Sequence, residues 1–200
     1  MAYLGWAAAV VLALAFVKRE FFSADTAKVE QKVSGPAQTV SGSSQTLAFP
    51  PFASWRPSFL SLIPGETGKQ ARLVEDGTLS WRNIETSTPA DPSRPVQMAV
   101  LLRPDAERNA RIFVYSGASR IICYLDPKTG IANSVMVSSA TGAECRGEAL
   151  KDGWWRLSLS GSLSSHDPQA VVTAAIAMAS RSSEESYPGD GVSGMDIALP

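Results

Sequence analysis

The chain opens on an unbroken apolar run, MAYLGWAAAVVLALAFV, and no charged side chain precedes Lys18. Roughly 16 helical residues reach about 24 Å, slightly short of the ~30 Å hydrocarbon core of a bilayer. Lys18 and Arg19 can snorkel to lengthen the span, and Phe21 and Phe22 can sit at the interface. Tyr3 and Trp6 stand near the other end, where aromatic belts form, with Val10, Leu14 and Phe16 between them. This pattern predicts a single transmembrane helix over 1–22. Its rival is a cleaved signal peptide with Ala13-Leu14-Ala15 as the A-x-A site, which the lack of Lys or Arg before the run disfavours. Residues 23–33 can prolong the helix or start a short one capped by Ser23 or Asp25. Residues 34–46 (SGPAQTVSGSSQT) have linker composition, so 23–46 reads as a stalk.

From Leu47 to Pro200 the period changes to two. Val96, Met98, Val100 and Leu102 share one strand face, and Arg103-Pro104-Asp105 ends that strand. Runs at 112–115 and 121–125 follow, closed by Asp126-Pro127-Lys128-Thr129-Gly130, a turn with Pro and Gly in usable places. The chain returns over 131–137. Trp155, Leu157 and Leu159 alternate with Trp154, Arg156 and Ser158; Val172, Ala174, Ile176 and Met178 alternate next; Met195, Ile197 and Leu199 close the series. The Ala-rich stretch 170–180 could be helical by propensity, but its place among regular strands favours a strand. Many short strands at this spacing predict a mostly β domain, an antiparallel two-sheet sandwich over 47–200.

Composition narrows the function. Charged residues make up 18% of the 200 and the net charge is -1, which argues against a nucleic-acid partner. Two Cys and one His cannot build a four-ligand zinc site, so no metal and no cofactor is expected. Lys18-Arg19 places the C-terminal side in the cytoplasm by the positive-inside rule. The Ser-, Thr- and Trp-rich, Lys-poor domain with its Cys pair points instead to the periplasmic face of a bacterial-type inner membrane.

Four segments carry a family likeness: Leu73-Val74-Glu75-Asp76-Gly77-Thr78, Leu125 to Gly130, Lys151-Asp152-Gly153-Trp154-Trp155-Arg156-Leu157-Ser158, and Tyr187-Pro188-Gly189-Asp190-Gly191-Val192-Ser193-Gly194-Met195-Asp196-Ile197. They resemble the L-x-E-D, F-D-L-x-x-G, D-G-W-Y-R and Y-x-G-D-G-x-x-G-I-x-I stretches of carbohydrate-binding-module-like jelly-roll domains found in phage tail and virion proteins, the last two agreeing in order and spacing. Trp155 stands where that family has Tyr. The resemblance covers roughly residues 50–200 and implies a jelly-roll-type sandwich.

Candidate chemistry is sparse. Trp55, Trp81, Trp154 and Tyr187 could stack on sugar rings or contact a partner, or else fill the core. Cys123 and Cys145 could form a disulfide closing a loop worth about 3 kcal/mol, or stay as buried thiols. Asp76, Asp126, Asp152, Asp190 and Asp196 read as turn residues, since no D-x-D-x-D run is present. His166 with Asp167, Ser164 and Ser165 lies in a polar loop without a G-x-S-x-G elbow. Glu144, Glu148, Glu184 and Glu185 read as solvated charges, so no catalytic residue is expected. The first expectation is a non-catalytic, single-pass accessory subunit that docks on a larger membrane protein complex, respiratory or photosynthetic for example, with the bilayer and its sister subunits as partners. The alternative is a membrane-tethered module that binds polysaccharide. A polysaccharide-active enzyme ranks behind both.

Overall fold

A computed structural model describes residues 43–91, 94–105, 108–164, 171–180 and 186–200. The expected anchor, with Tyr3, Trp6, Val10, Leu14, Phe16, Lys18 and Arg19, lies outside the described residues, as do His166, Asp167, Glu184 and Glu185. Among the described residues no helix is long and apolar enough to cross a membrane.

The strands are β1 (Gln45–Thr46), β2 (Arg56–Ser58), β3 (Leu60–Pro64), β4 (Gln70–Glu75), β5 (Leu79–Ser80), β6 (Arg82–Pro89), β7 (Val96–Pro104), β8 (Asn109–Ser116), β9 (Ser119–Asp126), β10 (Ile131–Val137), β11 (Thr141–Ala149), β12 (Trp155–Ser162), β13 (Val171–Ala179), β14 (Tyr187–Pro188) and β15 (Gly194–Ala198). One sheet runs β11-β12-β7-β15-β4-β3, the other β10-β9-β8-β13-β6-β2, and β5 pairs with β14. All pairings are antiparallel except that of β1 with β7. The longer strands pair in a nested way: β4 with β15, β6 with β13, β7 with β12, β8 with β9. Successive members of that series alternate between sheets, so the domain is mostly β and sandwich-like.

Period-two patterning explains the core. Val96, Met98, Val100 and Leu102 of β7 are fully buried, and they meet Ile112, Val114, Ile176 and Leu157 in the same cluster. The Ala-rich stretch is strand β13, flanked by β6 and β8, and is buried on both faces. Small side chains suit a central strand covered above and below. Trp155 belongs to the core side of β12 but is only half-buried, with its ring edge against Gly130. Full burial of a Trp is worth about 3–5 kcal/mol in a truncation. Trp155→Ala should therefore cost about 2 kcal/mol, read as a lower urea midpoint at unchanged slope.

Two non-glycine residues with positive φ mark where the chain changes sheet. Phe59 (φ 55) joins β2 to β3, and Ser138 (φ 59) lies between β10 and β11. Each pair of strands belongs to different sheets, so these corners close the two long sides of the sandwich. A third lock is covalent. Cys123 on β9 and Cys145 on β11 form a disulfide with Cα atoms 5.3 Å apart, and it ties one sheet to the other.

Candidate functional site

Strand register gathers the four sequence segments at one end of the sandwich. Leu60 faces Glu75, Gly194 faces Val74, Met195 faces Pro104, and Leu102 faces Trp155. The 126–130 turn joins β9 to β10 at that same end, since Ala110 faces Leu125. The four segments thus build one loop cluster.

Its centre is a buried ionic knot. The Glu75 carboxylate accepts from Arg108 Nη2 (3.1 Å), from the Tyr187 hydroxyl (3.3 Å) and from the Asp190 amide (3.2 Å). Arg82, with no exposed surface, donates to the carbonyls of Ser80 and Tyr187 (2.8 Å each), Asp76 (3.2 Å) and Thr78. The two guanidiniums lie 4.5 Å (Arg82) and 5.1 Å (Arg108) from the Tyr187 ring centroid. Gly189 has no room for a Cβ beside the Asp76 carbonyl and Arg82. The knot fastens three loops, and of its buried side-chain polar atoms only Arg82 Nε lacks a hydrogen-bond partner, a structural role.

Burial, and next the charge of Glu75, push the Tyr187 phenol from near 10 up to about 12. The raised value favours the neutral phenol in the folded protein. Its contribution to stability is whole below pH 10 and is lost as the pH climbs toward 12. Ultraviolet titration should show the Tyr187 phenolate forming last, near the onset of alkaline unfolding. A full complement of tyrosines ionising together near pH 10 would contradict this.

Asp126, Asp190 and Asp196 have structural partners too. Asp126 accepts from the Lys128 amide (2.9 Å) and the Thr129 hydroxyl (2.9 Å). Asp190 accepts from the Val192 (2.8 Å) and Ser193 (2.6 Å) amides, and the Ser193 hydroxyl and those amides hold its pKa far below the usual carboxylate range. Asp196 takes Arg72 (3.1 Å) and Arg103 (2.6 Å). Asp152 occupies a left-handed turn (φ 58), and Glu148 lies 3.5 Å from Arg156 across the strand pair. Among the described residues no three His, Cys, Asp or Glu gather as a metal site.

The four candidate aromatics do not converge. Trp55 is 3% exposed, packs against Phe49 and Phe52, and donates to the Pro50 carbonyl. Tyr187 sits in the knot. Trp154 is half-buried under the Arg103 guanidinium, beside the other sheet. Trp81 alone joins a group of aromatics, with its ring edge-on to Phe113 at 5.9 Å.

That group occupies the outer face of the β10-β9-β8-β13-β6-β2 sheet. On β8, Ile112 and Val114 point into the core, so Phe113 and Tyr115 point outward, their rings stacked at 24° and 6.1 Å. Arg120 on β9 lies over both rings, at 5.9 and 5.5 Å. Tyr115 donates to Glu85 Oε2 at 3.1 Å. β13 runs between β8 and β6, so this bond crosses two strand spacings, about 10 Å. Only small outward residues, Thr173 and Ala175, stand between, and they let the Tyr115 ring lean over β13 toward β6. Burial first, and then the Glu85 charge, raise the Tyr115 phenol pKa, which keeps it a donor. Phe113 is buried, while Trp81, Tyr115, Tyr124 and Arg120 are half-exposed. Reading by sequence alone missed Phe113, Tyr115, Arg120 and Glu85. The one available signal was a strand, Ile112 to Tyr115, with bulky apolar residues on both faces.

No protein-family model matches the chain, and no curated protein matches it.

Proposed function

We propose that the chain is a non-catalytic, membrane-tethered module whose jelly-roll-type sandwich binds polysaccharide through the outer face bearing Trp81, Tyr115 and Arg120. The nested pairing of β4 with β15 through β8 with β9 supports the jelly-roll assignment. Residues 1–22 serve as the anchor, on the strength of their apolar run. The inter-sheet disulfide favours display on the oxidising, periplasmic side. The observation that carries the reading is the half-exposed aromatic surface with a guanidinium over it and a carboxylate at its edge. Flat apolar rings suit the C–H face of a sugar, and the ionic groups suit its hydroxyls. The full chain in detergent micelles should bind soluble polysaccharides in affinity electrophoresis. Tyr115→Ala should weaken that binding about tenfold, a loss of about 1.4 kcal/mol, and Trp154→Ala should leave it unchanged.

A second reading, the accessory subunit docked in a membrane complex, has its own observation. Phe59, Leu79, Ile131, Leu150 and Val192 are exposed apolar side chains, and all lie at the motif end of the sandwich. Such tips suit contact with a protein partner. Co-purification of stoichiometric membrane proteins without polysaccharide binding would favour it.

A further inference from the structure

At the free edge of the same face, β2 pairs with β6, and Arg56 stands directly across from Glu85. A cleft of about 360 Å³ opens there, lined by Pro50, Ser54, Arg56, Glu85, Thr86 and Ser87. Cross-strand neighbours of opposite charge usually pair. Arg56 and Glu85 do not: Glu85 is engaged by Tyr115, and Arg56 makes no hydrogen bond or ion pair among the described residues. The cleft therefore holds an open guanidinium fork on one wall and an oriented carboxylate on the other.

We infer that this cleft is a subsite for a carboxylate-bearing sugar, so that the polysaccharide bound by the outer face is a polyuronate. This rests on the polysaccharide-binding reading above. A guanidinium matches a carboxylate through two parallel N–H donors, a geometry that neutral hydroxyls do not exploit. Glu85 accepts from sugar hydroxyls and repels a second negative charge, which turns the ligand's carboxylate toward Arg56. The same repulsion disfavours a doubly charged phosphate. Ser54 and Ser87 complete the lining, with their hydroxyls bonded to the Pro51 carbonyl (2.9 Å) and to the Thr173 hydroxyl (3.1 Å). Arg120 lies four strand spacings away on β9, roughly 19 Å, with the Tyr115 ring between. A repeating anionic chain laid across the strands thus meets a cation at each side of the face.

The test uses the full chain in detergent micelles with alginate and with carboxyl-reduced alginate, its neutral counterpart. Wild type should bind alginate more tightly, and added salt should weaken that binding. Arg56→Gln should lower alginate affinity about tenfold while leaving the neutral polymer and the melting temperature unchanged, because Arg56 is exposed on an edge strand. Equal binding of both polymers, or an Arg56→Gln protein that still prefers alginate, overturns the acidic-sugar assignment and leaves the polysaccharide reading standing. Failure to bind either polymer overturns both.

Discussion

Glu75→Gln is expected to destabilise the domain by about 3–5 kcal/mol, because it leaves Arg82 and Arg108 without the carboxylate that offsets their desolvation. Thermal midpoint should fall by roughly 6–20 °C for a domain of this size. Glutamine keeps the volume and an acceptor, so the loss reports charge rather than a cavity. Arg82 gains nothing elsewhere: its Nε already lacks a hydrogen-bond partner and lies 4.0 Å from Glu75 Oε2. Glu144→Gln, on an exposed edge, should shift the midpoint by less than about 0.5 kcal/mol equivalent. Equal melting of the two variants would show that the knot is held by its hydrogen bonds alone.

Removal of the Cys123–Cys145 bridge should cost about 3 kcal/mol, the chain-entropy value for a loop of this length. Paired Cys→Ala substitution is the proper form, since a serine at the fully buried position 123 would add an unpaired hydroxyl. The bridge joins β9 to β11 across the sandwich, so the reduced protein should lose protection first along the β10–β11 edge in hydrogen exchange. A reduced protein that melts with the oxidised one would contradict the stapling role.

Much of the fold could be read from alternation. Val96, Met98, Val100 and Leu102, Leu157 and Leu159, and Met195 and Ile197 face the core as the period of two demands. Pairing order could not be read that way. Alternation assigns a residue to a face and says nothing about which strand lies beside it. The contact from Tyr115 to Glu85 exists because β13 lies between β8 and β6 and carries small residues. Arg108 reaches Glu75 and Asp190 through loops far apart in sequence, and neither loop alone signals the other. Trp55 and Tyr187 show the same limit from the opposite side. Their residue type suits a platform, but local turns bury both. The Cys pair crosses between sheets because Ser138 turns the chain from one sheet into the other.

Hydroxyl-radical footprinting of the full chain, with and without bound polysaccharide, tests the central claim most directly. Protection is expected at Trp81, Tyr115 and Tyr124, with Trp154 and the tips Phe59, Leu79 and Val192 unchanged. Protection confined to those tips, with the outer-face aromatics still oxidised at their free rate, would contradict it.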